Sequence, residues 1–171
     1  MTTRFALRLP NHQGRLVALA VSYHLARPGA EIDHETLTEY QHGLAEVMPE
    51  IEAQLEAGTV ALDLNPLQTV LLSAAFSSVI SELKMYSTLD TMAGGSSRPR
   101  STAHGFDDRL RTLFPEVAGD PSYASRLAED MTMLRRQLPS GRARQIMEEE
   151  RQASLAAAKP RRRPWQLWRR R

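Results

Sequence analysis

The chain has 171 residues, 42% hydrophobic and 25% charged, with a formal net charge of +2, the balance of a folded globular domain. It has no cysteine, which excludes disulfide scaffolds, thiol catalysis, iron–sulfur clusters and zinc sites built on thiolates. Met1-Thr2-Thr3-Arg4 leads into no apolar signal core, so the expected location is cytoplasmic.

The first element is a strand over residues 4–9, where Phe5, Leu7 and Leu9 alternate with Ala6 and Arg8. Pro10-Asn11-His12-Gln13-Gly14 has the composition of a turn. In residues 15–26, large side chains (Val17, Leu19, Val21, Tyr23, Leu25) alternate with small ones (Ala18, Ala20, Ser22, His24, Ala26). That alternation predicts a second strand, closing a β-hairpin with 4–9; a helix through Leu16, Leu19, Ala20 and Tyr23 is the alternative. A helix over 34–57 follows, capped by Asp33 and carrying Leu37, Tyr40, Leu44, Val47, Ile51 and Leu55 on one face. Pro49 predicts a kink or break near Val47, and Gly58 a stop. Val60, Leu62 and Leu64 alternate as a third short strand, 60–64.

Asn65, Pro66 and Gln68 then mark the start of a long helix over 66–92. Leu64 to Ser81 is free of charge and long enough to suggest a membrane span, but eight of its residues are polar or proline, so a buried helix is expected. Leu72, Phe76, Val79, Leu83 and Tyr86 form a heptad-like seam on it, and Ser73, Ser77 and Ser81 form a stripe open to close helix approach. The width of the apolar face marks this helix as central to the core and makes those five seam residues candidates for self-association as a homodimer.

Residues 93–104 lack large apolar side chains and read as a linker or exposed loop. Residues 105–139 form a helical extension packing on the core. Phe106, Leu110, Leu113 and Phe114 predict a short helix there, and Asp120-Pro121 starts another through Leu127, Met131, Leu134 and Leu138. Residues 140–158 are a polar helix with Arg144–Glu148 and Glu148–Arg151 as candidate surface pairs. Together these elements predict a mainly helical α+β fold. Residues 1–92 are its α+β core: an N-terminal hairpin and a third strand packed with the long helix.

Motifs of catalysis are sparse. Glu39-Tyr40-Gln41-His42 places a carboxylate and an imidazole on one helical face, but a di-iron bundle needs a second such motif and the chain has none. Ser22, His24 and Asp33 or Asp63 lack the strand–turn–helix context of a nucleophile, and no phosphate-cradling glycine motif occurs. Lys84, the one lysine ahead of the C-terminal segment, reads as a solvated residue at a helix edge. No cofactor, metal or small-molecule substrate is inferred. A small enzyme with a pocket near His24 or His42 is the alternative of a different class.

The sharpest feature is electrostatic. Residues 28–83 hold ten acids and no Lys or Arg, whereas 159–171 hold seven cations and no acid. Lys159, Arg161, Arg162, Arg163, Arg169, Arg170 and Arg171 bracket both tryptophans of the chain, Trp165 and Trp168. Arginine neutralises phosphates and tryptophan stacks on unpaired bases, so nucleic acid is the first candidate partner of this tail. An anionic membrane surface and an acidic protein surface, in the same or a neighbouring subunit, are the other two. The sequence therefore predicts a non-enzymatic binding or assembly protein.

Overall fold

A computed structural model of the chain describes residues 3–27, 43–93, 105–120 and 122–158. Strand β1 (Phe5–Pro10) runs directly into helix α1 (Asn11–Ala26). A 3-10 turn (Leu44–Glu46) leads into helix α2 (Val47–Leu55), strand β2 (Thr59–Leu64) and the long helix α3 (Pro66–Ala93). Helix α4 (Phe106–Leu113), the single turn α5 (Glu116–Gly119), helix α6 (Tyr123–Gln137) and helix α7 (Ser140–Ala158) follow. The described residues are thus mostly helical, with one two-stranded sheet.

β1 and β2 pair antiparallel, with Phe5 opposite Leu64 and Pro10 opposite Thr59. The strands expected at 4–9 and 60–64 are both present. The strand expected at 15–26 is not, and neither is its hairpin: those residues belong to α1, so the sheet has two strands rather than three. Nor is the Pro10–Gly14 cluster a turn. Pro10 ends β1 in extended backbone (φ −62°, ψ 160°), and the helix begins at Asn11.

The physical reason lies in burial. Leu16, Val17, Ala18, Leu19, Ala20 and Val21 are consecutive and all are buried. A helix covered on every side has no polar face, so it carries no 3.6-residue polarity signal. What remained was an alternation of size, which imitates a strand. Length was the better guide, because a run of about a dozen residues exceeds the usual strand.

α1 sits very close to the sheet. A Cβ on Gly14 would lie 2.5 Å from Val60 Cγ2 and 3.2 Å from Val60 Cβ. On β2, Val60, Leu62 and Leu64 turn inward while Ala61 and Asp63 face out. On β1, Leu9 is buried and Leu7 packs against the same cluster.

α2 begins at Val47, so Pro49 lies in its first turn, where no intrahelical N–H bond is lost. The expected break near Val47 takes the form of the 3-10 turn ahead of the helix. Gly58 ends this segment in the left-handed region at φ +82°. The start of the helix expected at 34, with Leu37, Tyr40 and the Glu39–His42 motif, lies outside the described residues.

α3 opens as its sequence predicts. Gln68 N donates to Asn65 Oδ1 at 2.8 Å, and Asn65 N donates to Gln68 Oε1 at 3.0 Å, a reciprocal capping box. Gln68 Nε2 also donates to the Gly43 carbonyl at 3.2 Å, which ties the helix start to the 3-10 turn. Further along α3, α1, α6 and α7 all pack on it. By length and composition Pro66–Thr88 is long and apolar enough to cross a membrane, and half of that stretch is buried by the rest of the chain. The serine stripe does admit a helix. α6 lies against α3, and Arg135 Nη1 donates to Ser77 Oγ.

α6 starts behind Asp120, whose carboxylate accepts bonds from the Ser122 backbone N–H and hydroxyl and pairs with Arg126. The Ser122 hydroxyl first, with the Arg126 charge adding to it, holds the Asp120 carboxyl below the usual aspartate value. Its contribution to folding is therefore full above the unfolded-state value and fades as pH falls through the lower folded-state one. α7 packs on α3, and its less exposed positions Ala143, Ile146, Met147 and Glu150 form one stripe. Glu148 pairs with Arg151, with Oε2 to Nε at 3.0 Å, and not with Arg144. One apolar cluster runs from Leu9 to Leu138 and joins every one of these helices except α7.

Two substitutions test this packing. Gly14→Ala improves helix propensity by about 1 kcal/mol, yet it forces a methyl into a β-branched neighbour, an overpacking cost of about 1–3 kcal/mol. We expect net destabilisation, seen as a lower denaturant midpoint; a variant as stable as the parent would show that α1 does not lie this close to β2. Phe76 is fully buried, so Phe76→Ala is expected to cost about 3–5 kcal/mol in chemical denaturation.

Candidate functional site

The residues proposed from sequence fall into three places. The cationic tail, Lys159 to Arg171, lies outside the described residues. The seam proposed for self-association is inside the chain's own core: Leu72, Phe76, Val79 and Leu83 are at most 1% exposed and Tyr86 is 9% exposed. These side chains are spent on α1 and the helices around it, so association of two copies through α3 would have to draw on its other residues. Lys84 is exposed on α3, as expected.

Ser22, His24 and Asp63 do not assemble into a triad, and Asp33 lies outside the described residues. Ser22 and His24 lie two positions apart on a helix and therefore point to different sides, whereas a strand would have put them on one face. Ser22 Oγ accepts a bond from Arg109 Nε at 3.2 Å. Asp63 is exposed on the sheet and faces Arg4, with Nη1 to Oδ2 at 3.8 Å. Among the described residues no group of three or more His, Asp or Glu is placed to hold a metal ion.

The structure brings together a polar cluster that the sequence did not announce. Tyr23 at the end of α1 donates its hydroxyl to Glu82 Oε2 of α3 at 3.2 Å, and both side chains are buried. The Tyr23 ring meets Phe106 of α4 edge to face, with centroids 5.2 Å apart. Arg27 lies over the same ring at 6.0 Å and donates to Ser78 Oγ at 3.2 Å. Arg109 of α4 spans to Glu52 of α2 at 2.9 Å while holding Ser22. Burial of a carboxylate is costly unless it is hydrogen-bonded, and the phenol supplies one such bond. The cluster fastens α1, α2, α3 and α4 together. The sequence did carry a weak signal: Glu82 lies three beyond Val79 and four before Tyr86, within the apolar seam of α3.

At the far end of α1, His12 Nε2 lies 2.9 Å from Asp130 Oδ2 of α6, and the imidazole stands edge to face on Phe114. Both side chains of that pair are about half exposed, so it adds little stability.

The last helix decides how the tail is attached. Its buried stripe ends at Glu150, and every residue from Arg151 to Ala157 is exposed. Two turns of helix with no packing face therefore separate the core from residue 159.

No protein-family model matches the chain, and neither a curated protein nor a solved structure does.

The buried pair gives a direct test. Tyr23→Phe keeps the ring and its contact with Phe106 but removes the phenol donor from Glu82. Leaving a buried acceptor one bond short costs about 1–3 kcal/mol. Thermal melts at neutral pH should show that loss; an unchanged melting temperature would mean that the bond carries no net stability.

Proposed function

We propose that the chain is a non-enzymatic binding or assembly protein in which a rigid helical body carries a cationic, tryptophan-bearing tail that engages a polyanion, nucleic acid first. The observation that carries this reading is the end of α7. A packing stripe that stops at Glu150, followed by residues exposed on all sides through Ala157, holds the attachment point of the tail away from the core. The charge layout agrees with it. Seven cations in the last 13 residues follow a body whose residues 28–83 hold ten acids and no Lys or Arg. A polyanion is repelled by that acidic stretch and drawn to the tail, which directs binding to one end of the chain. Arginine is suited to phosphate because its planar guanidinium donates in pairs, and tryptophan supplies a stacking face for unpaired bases. This activity needs no metal or cofactor, and a cytoplasmic setting is part of the proposal.

Salt dependence reads the tail directly. If its seven cations each neutralise a phosphate of single-stranded nucleic acid, log affinity falls against log salt with a slope of about −5. Trp165→Ala and Trp168→Ala are each expected to lose about 1–3 kcal/mol while leaving the slope nearly unchanged. Truncation after Ala158 should abolish binding. Both tryptophans lie in the tail, so their emission reports its environment without background. A blue shift on anionic vesicles with none on nucleic acid would replace nucleic acid by a membrane surface. Buried tryptophan in the free protein would point to a tail docked on protein. Full-length and truncated chains that behave alike toward all three targets would overturn the reading.

A further inference from the structure

The two edges of the sheet are treated differently. On β2, Ala61 N donates to Gln54 Oε1 at 2.7 Å, and Gln54 Nε2 donates to Ala61 O at 3.0 Å. The Gln54 amide thus takes the place of a neighbouring residue in a strand and covers the β2 edge at Ala61. The same bonds fix the phase of the ladder. If the Ala61 N–H and carbonyl point away from β1, then Ala61 and Arg8 are a non-hydrogen-bonded pair. Alternation makes Ala6–Asp63 and Pro10–Thr59 pairs of the same kind. Proline, with no N–H, fits such a position.

The backbone N–H and carbonyl groups of Ala6 and Arg8 therefore face the outer edge of β1. Among the described residues no hydrogen bond reaches them there, and the elements packed against β1 are β2 and α1. This is a short template of two donors and two acceptors. Its outer face carries Arg4, Ala6 and Arg8, all exposed; Arg4 Nη1 donates to the Asp63 carbonyl of β2 at 3.1 Å and lies 3.8 Å from its carboxylate, so Arg8 is the cation left closer to the open edge. Its inner face continues the core through Phe5 and Leu7, both half-buried.

We infer that the β1 edge accepts an extended segment of a partner protein as a third, antiparallel strand, one that alternates acidic and apolar residues. The acidic residues lie on the outer face beside Arg4 and Arg8, and the apolar ones extend the inner face beside Phe5 and Leu7. Cross-strand opposite charges are favourable and like charges directly opposite are not, so the arginines select for acid. They also select against a second copy of this chain. Two β1 strands related by a two-fold axis at Ala6 set Arg4 opposite the other copy's Arg8, and an axis at Leu7 brings the two Arg8 side chains together diagonally. The charges that protect an open edge from self-pairing thus admit a strand of opposite sign.

The test uses the full-length chain and an eight-residue synthetic peptide alternating valine and glutamate, followed by amide hydrogen exchange resolved at single residues. Saturating peptide should slow exchange at Ala6 and Arg8 while leaving β2 amides unchanged. Peptides alternating valine with lysine, or serine with glutamate, should not protect these amides. Ala6→Pro removes one outward N–H at a position where the ladder does not use it, so the fold stands and the peptide is lost. Arg4→Glu with Arg8→Glu should weaken the acidic peptide roughly tenfold and reverse the preference toward the lysine peptide. The cationic tail attracts the same acidic peptide, but it neither protects Ala6 and Arg8 nor responds to Ala6→Pro, so the two sites are read apart. Unprotected Ala6 and Arg8 amides at saturation, or equal protection by the lysine peptide, would overturn the inference.

Discussion

The fold depends on one helix whose middle has no solvent face. From Leu16 to Val21 every side chain of α1 is buried, so α1 can exist only if something covers each side. The sheet does so at its start, where the absence of a Cβ at Gly14 lets Val60 into contact. α2, α3, α4 and α6 cover the rest. Ala18 and Ala20 keep the helix narrow enough for neighbours to approach. Two arginines of different elements then fasten α4 to α1: Arg15 Nη1 donates to the Leu113 carbonyl, and Arg109 holds Ser22. The two-stranded sheet would be marginal alone, and it is stable here because α1 covers its apolar face.

This arrangement explains what the sequence disclosed and what it hid. Elements with one wet face were legible. β2 alternates, α3 carries a seam and a capping box, and α6 has a stripe, because each of them meets water on one side. The seam of α3 is therefore buried at the positions its spacing marks, and its neighbours are helices of the same chain. α1 was hidden because burial on all sides erases polarity, and its run of alternating sizes then suggested the wrong period. That error propagated. Residues 15–26 read as a strand give β1 a local partner and leave β2 as a third strand. In the structure they pair with each other, and the helix that separates them in sequence lies across them.

The polar cluster at the end of α1 was lost in the same way. Tyr23 and Glu82 are 59 residues apart in sequence, and Tyr23 stood on the element that was misread. Sequence periodicity places residues on faces, but it does not say which faces meet. The tail stands apart, because residues 159–171 lie outside the described ones. Its reading rests on local composition and on no packing, so no tertiary contact could conceal it. The open edge of β1 lies between these cases. Its arginines are visible in sequence, but the phase of its outward N–H groups follows only from the Gln54 bonds to Ala61.

The tail and the β1 edge would recognise different features of a partner. The tail offers seven cations in 13 residues, an interaction governed by counterion release and strongly weakened by salt. The edge offers two main-chain donors and two acceptors with only two arginines beside them, so its attraction is directional and far less sensitive to screening. A polyanion without an extended peptide backbone cannot use the edge, because its phosphates do not match the spacing of antiparallel N–H and carbonyl groups. An acidic peptide can use both, but only the edge fixes its direction and the alternation of its side chains. In that proposal long-range charge would bring an acidic partner near, and main-chain geometry would decide whether it stays. Under the two proposals, that division would let one small chain hold a nucleic acid at the tail and an acidic protein strand at the sheet without the two competing for the same groups.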